Sequence, residues 1–296
     1  MRVVGVVLTA LAMGGVLLIP QVVEAQSTQV DSTVVPPSSA LVPEGLATGD
    51  RFRVLFLTSS TRTATSTDIG DYNAFVQTAA AAGHEAIGDY SGGFRAVAST
   101  ADVDARDNTN TTGAGVPIYW LRGNKLADDY ADFYDGTWDD QTNGTDESGS
   151  ARSISADADR AWTGSDHDGT ELTTQGFPKS LGGGGTFFAS AGALDGSLSS
   201  DGPLSGRTAV RNSSRPLYAL SEVFVVGPDV TVSRDDLGVV EGSTATYTLV
   251  LDAEPSGNVT IDVTGGGDVT VEPTSLTFTA FTAGLGHGAD GDGERC

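Results

Sequence analysis

Residues 244–251 read Thr-Ala-Thr-Tyr-Thr-Leu-Val-Leu. Alternation of this kind sends successive side chains to opposite faces of an extended chain, so it predicts a half-buried β-strand and argues against an amphipathic helix. The pattern recurs at Val259–Val263, Val269–Val271 and Leu276–Phe278, with turn-forming stretches at Glu254–Asn258 and Gly265–Asp268 between them. Short, evenly spaced alternating strands predict a β-sandwich. The composition changes at Gly227-Pro228, so residues 228–280 are expected to form a small all-β domain. The ladder stops at Ala280, one strand short of closure. Residues 284–296 are rich in Gly and Asp without alternation. Back-translated with G/C-biased codons and shifted by one base, that stretch permits an alternating strand. Residues 281–296 are therefore expected to be an irregular, frameshifted tail, and Cys296 not a natural end.

The upstream part mixes both periods. Phe52-Arg-Val-Leu-Phe-Leu57 is dense in aromatic and branched residues and predicts a strand. Ile69, Tyr72, Phe75, Val76 and Ala79 fall at spacings of three and four. They predict a helix from an Asp68 cap to about Ala82, stopped by Gly83. Phe94–Ala98 and Val116–Leu121 predict further strands. A second helix is expected from Asn124 to about Tyr134, with Asp128, Asp129 and Asp132 turned to solvent. Arg215–Val226 predicts a long closing strand. Residues 26–45 contain Pro36-Pro37 and show no helical period, which predicts a linker before a domain over residues 46–227.

Four blocks occur in order: Phe94-Arg-Ala-Val97, Val116-Pro-Ile-Tyr-Trp-Leu121, Arg160-Ala-Trp-Thr-Gly-Ser-Asp-His-Asp-Gly169 and Arg215-Pro-Leu-Tyr-Ala-Leu220. Together they resemble the endostatin-like branch of C-type lectin-like domains, which includes secreted bacterial proteins. Val240-Glu241-Gly242 and the ladder that follows resemble Calx-β and related Ig-like modules. The implied fold is an α+β C-type lectin-like domain with a second, smaller, incomplete all-β sandwich. In such a domain the first and last strands, here Phe52–Leu57 and Tyr218–Val226, would pair at the base. The motifs by which sugar-binding C-type lectins hold calcium and sugar, Glu-Pro-Asn or Gln-Pro-Asp with Trp-Asn-Asp, are absent. So is an N-terminal histidine cluster such as endostatin uses for zinc. Neither mechanism transfers.

Arg2 precedes an apolar run from Val3 to Ile19, and Val23-Glu24-Ala25 places small residues before Gln26. This predicts a signal peptide over residues 1–25, cleaved after Ala25. A retained anchor needs about 20 apolar residues. The expected location is therefore extracellular or at the cell surface, with no membrane insertion after cleavage. Cys296 is the single cysteine, so an exported form is held by its cores alone. The net charge of −23 argues against nucleic acid as a partner, because phosphates are held by Lys and Arg.

Catalytic signatures are missing. His84, His167 and His287 sit in no nucleophile or zinc motif, and paired acids such as Asp139-Asp140 are expected by chance in so acidic a chain. His84, just after Gly83, fits a structural role at a helix end. Asp166, Asp168 and Glu171 offer alternating oxygens around Gly169, as Ca²⁺ prefers; the competing reading is an Asx-turn that satisfies its own backbone. In the resembled fold Trp120 and Trp162 occupy core strands, which implies packing roles for both. Trp138, in a polar loop, is the candidate for stacking on a ligand. Arg106, Arg122 and Arg160 are expected to pair with carboxylates. The function expected is non-catalytic recognition or adhesion, with a carbohydrate or extracellular protein as ligand. The alternatives are an accessory fragment of an extracellular hydrolase and a purely structural surface component.

Overall fold

The computed structural model describes residues 5–12, 22–27, 33–37, 39–140, 144–152, 160–183, 188–192, 203–205, 207–233, 244–253, 255, 258–264 and 269–279. Two compact units form: Val30–Gly227, and Pro228–Cys296 together with Met1–Gln29.

The larger unit is built on the strand Arg51–Leu57, of which every residue but Arg51 is buried. Burial of successive residues is what a strand covered on both faces shows. The faces separate by alternation. Phe52, Val54 and Phe56 enter one core with Tyr72, Val76, Phe94, Trp162 and Phe224. Leu55 and Leu57 enter a second with Trp120, Leu126, Phe133, Trp138 and Tyr218. Arg53 points to the second side and is only 4% exposed. Its guanidinium donates to Ser221 O (2.6 Å), Thr109 O (2.8 Å) and the Tyr130 hydroxyl (3.3 Å), which replaces the water that burial removes.

Neighbouring strands share this one. Tyr218–Leu220 pairs antiparallel with its C-terminal half and Phe224–Val226 with its N-terminal end. The long closing strand is thus two short ones. Ile118–Trp120 pairs parallel to it and turns back through Lys125–Ala127. Thr33–Val35 adds in parallel to Phe224–Val226, and Val35 and Leu41 are buried in the core. The stretch expected as a linker therefore belongs to the unit from Thr33 onward.

The helix Ile69–Ala82 lies where the spacing places it. The Asp68 carboxylate accepts from Gly70 N (2.8 Å), and Tyr72, Val76, Ala79 and Ala80 are its buried residues. The second expected helix shrinks to one turn, Tyr130–Phe133, preceded by the strand Lys125–Ala127. Its aspartates explain this. Asp129 accepts from Asp132 N and Asp132 from Asp128 N, so the side chains start a turn where a longer helix would need those amides for its own ladder.

The Arg160–Gly169 block forms the strand Ala161–Trp162, and Trp162 is fully buried. Gly164 follows at φ +64°; a Cβ there would lie 2.3 Å from Ser99 O. Only glycine fits both the dihedral and the space.

The smaller unit has two sheets. One orders Val230–Val232, Thr244–Leu251, Gly5–Ala12 and Val269–Glu272; the other orders Val22–Ser27, Val259–Val263 and Ser275–Phe278. Alternation works as read: Val259, Ile261 and Val263 are buried, whereas Asp262 faces out. With Tyr247, Leu249, Val271, Leu276 and Phe278 they form one core.

The expected fold class is not what the chain forms. It is mostly short strands in several small sheets with four α-helices among the described residues, and not an α+β lectin-like domain followed by a separate sandwich. Apart from Ile69–Ala82, each of those helices is a single four-residue turn. Frequent Gly, Asp, Ser and Thr end each element within a few residues and leave the tertiary cores to hold them. The tail over residues 281–296 lies outside the described residues.

Candidate functional site

A cleft of about 530 Å³ opens in the larger unit between residues 40–44 and the hairpin of Ile118–Trp120 and Lys125–Ala127. One wall is fixed by a chain of turns after Pro36-Pro37. Ser39 N donates to Pro36 O (2.9 Å) and Val42 N to Ser39 O (3.0 Å), while buried Leu41 anchors the segment.

The other wall is the hairpin tip. Trp120 N donates to Asn124 O (3.0 Å) and Gly123 N to Trp120 O (2.9 Å), which closes a tight loop. Arg122 occupies the left-handed region at φ 58°, an unfavourable place for a side chain with a Cβ. Gly123 is required beside it, since a Cβ there would come within 2.7 Å of the Trp120 Cβ.

Five side chains give this cleft its chemistry. Arg122 is exposed and makes no hydrogen bond or ion pair among the described residues, contrary to the carboxylate partner expected for it. Asn124 Nδ2 donates to Asp140 Oδ2 (2.8 Å), leaving its carbonyl oxygen as an acceptor. Lys125 is paired with Asp128 and lies 3.8 Å from Asp139, and the Asp128 hydrogen bond raises its pKa. Tyr119, half-buried, meets Phe52 edge-on at 6.5 Å; burial pushes its phenol pKa up against the opposing pull of Lys125. Glu44 adds a carboxylate on the facing wall.

The residues singled out in the sequence lie elsewhere. Trp138 is 4% exposed and is no platform for a ligand. Its ring stacks on Phe133 (5.0 Å, 13°) and meets Trp120 and Tyr218 edge-on, and Nε1 donates to Phe133 O (3.0 Å). Polar sequence neighbours suggested exposure, but they turn outward while the indole fills the core. Trp120 and Trp162 are buried as well.

The acidic turn spends its oxygens locally. Asp168 Oδ1 accepts from Thr170 N (2.9 Å) and Thr170 Oγ1 (2.6 Å). Desolvation pushes the Asp168 pKa up, but those bonds and the Arg106 charge outweigh it and hold the carboxyl below its usual value. Asp166 Oδ1 lies 2.9 Å from His167 Nδ1, and Glu171 N donates to Asp104 Oδ1 (2.7 Å). The calcium site expected from Asp166, Asp168 and Glu171 is not assembled. Among the described residues no group of three or more acidic, His or Cys side chains converges to hold a metal ion. The Asx-turn reading describes the geometry. Gly169, at φ +77°, closes the turn against the Tyr134 ring.

His84 caps a helix start. Its Nδ1 accepts from Ala86 N (3.0 Å), so it serves the short helix that follows and not the carbonyls of the one before. His287 lies outside the described residues.

Nothing in the sequence flagged the cleft, because one wall lies in the expected linker and the other runs from the expected strand Val116–Leu121 into the expected helix start at Asn124. The positive φ of Arg122 has no sequence signature outside Gly and Asn. Neither a known family model nor a curated protein matches the chain.

Proposed function

We propose that the protein is an exported, non-catalytic recognition or adhesion protein, and that the cleft between residues 40–44 and 118–125 receives its carbohydrate or protein ligand. One observation carries the reading: in a chain of net charge −23, an exposed arginine on a strained turn lines a cleft and has no carboxylate partner among the described residues. A backbone held in an unfavourable region at a concave surface is a mark of functional sites. The groups around it suit binding. The guanidinium offers planar donors, the Asn124 carbonyl an acceptor, and the Tyr119 ring an apolar edge.

Export rests on the charged start, apolar run and small-residue site of residues 1–25. High negative charge keeps such a protein soluble outside the cell. The experiment is an array of extracellular glycans and proteins probed with the exported form and with Arg122→Ala. The reading expects a ligand whose signal falls at least about tenfold in the variant, the scale of one lost charge-assisted contact. A ligand bound equally by both forms would move recognition to another surface.

A further inference from the structure

The four-stranded sheet of the smaller unit takes one strand from the opposite end of the chain. Gly5–Ala12 runs antiparallel to Thr244–Leu251, from Gly5 opposite Val250 to Leu11 opposite Thr244. On its other side it pairs with Val269–Glu272, from Thr9 opposite Glu272 to Ala12 opposite Val269. The strands it separates stand two ladder spacings apart, about 9.6 Å, too far to pair with each other. Without Gly5–Ala12 the sheet has a slot one strand wide, lined on both sides by unpaired N–H and C=O groups. Tyr247, Leu249 and Val271, all buried in the unit's core, flank that slot in register with Leu8, Val6 and Ala10.

The same residues are the apolar centre of the segment read as a signal peptide, so the inference rests on the export reading above. A cleaved leader cannot remain a strand of the sheet. We propose that in the exported protein the slot between Thr244–Leu251 and Val269–Glu272 is a docking site for a β-strand supplied by another polypeptide. Its chemistry follows from the slot. The strand is extended and antiparallel to Thr244–Leu251, and spans about seven residues like the segment it replaces. It is uncharged and bears small or branched apolar residues, as Gly-Val-Val-Leu-Thr-Ala-Leu-Ala does over residues 5–12. It carries a hydroxyl or amide side chain where the leader has Leu8, because the Tyr247 hydroxyl is buried and has no hydrogen-bond partner among the described residues. Main-chain pairing on both edges would supply affinity, and the alternate side chains selectivity.

The test uses the chain Gln26–Cys296, the full chain, and a peptide of residues 5–12 flanked by lysines for solubility. Hydrogen exchange is followed at Thr244–Leu251 and Val269–Glu272. In Gln26–Cys296 alone these amides should exchange freely, and the peptide should slow them by roughly tenfold or more. The same peptide with Leu8→Pro should have no effect, and the full chain should bind neither. If Gln26–Cys296 fails to fold, the full chain carrying Leu8→Pro and Ala10→Pro serves instead, with the same loss of protection and the same rescue expected. The proposal is overturned if both strands are equally protected with and without peptide, if the full chain binds the peptide as well as the shorter one, or if Gln26–Cys296 protects them by pairing with a second copy of itself. Export is tested separately by N-terminal sequencing of secreted protein. Retention of Met1 would end that reading without altering what the peptide reports about the slot.

Discussion

Trp138 is buried in the core of the larger unit, whereas Arg122, the proposed ligand contact, is exposed. Truncating Trp138 to Ala removes an indole packed on Phe133, Trp120 and Tyr218. It should cost about 3–5 kcal/mol in denaturant unfolding, as for other buried aromatics. A fall in ligand binding with stability intact would instead restore it as a ligand platform. Arg122 behaves oppositely. Arg122→Gly relieves a left-handed residue and should raise the unfolding free energy by up to about 1 kcal/mol, while binding in the cleft weakens. Tyr72 sets an alkaline limit. Burial is the largest cause that pushes its phenol up to about 12 from 10.0, so the folded state holds that proton where the unfolded chain has released it. This contribution is fully present below about pH 10 and is lost as pH rises through about 12. Unfolding midpoints measured over that range should fall with pH, and less steeply in Tyr72→Phe.

Elements were legible where local signals agreed with tertiary demand. Ile69–Ala82 has an Asp cap, apolar residues at spacings of three and four, and a glycine stop, and each is used in the fold. The strand Arg51–Leu57 was legible because five of its seven residues are aromatic or branched apolar ones, which suits a strand with a core on each side. Lys125–Phe133 misled because Leu126, Tyr130 and Phe133 match a helical spacing, yet the first pairs in a hairpin and the others sit on a single turn. Spacing cannot report that Asp side chains capture the amides a helix needs. Residues 33–45 misled because prolines suppress any period, while Val35 and Leu41 still reach the core. The cleft was invisible for the same reasons, since one wall lies in the expected linker and the far side of the other, Asn124 and Lys125, in the expected helix. Gly164 tests the turn that follows the buried Trp162. Gly164→Ala adds a Cβ 2.3 Å from Ser99 O at φ +64°. It should destabilise by at least about 2 kcal/mol in thermal or denaturant unfolding, the scale of combined dihedral strain and overpacking. A neutral outcome would mean that the turn after Trp162 relaxes freely.

At the scale of the whole molecule, two units with separate cores stand on one strongly acidic chain without internal disulfides. Each part of the proposed function draws on a different unit: the larger carries the cleft, and the smaller carries the sheet that includes Gly5–Ala12. The cleft at Arg122 is the proposed ligand site. Isothermal titration of the best array ligand into the exported form, Arg122→Ala and Trp138→Phe tests it most directly. Arg122→Ala should lose at least about tenfold in affinity, near 1.4 kcal/mol, and Trp138→Phe should bind unchanged. Equal affinity in Arg122→Ala, or a loss confined to Trp138→Phe, would contradict it.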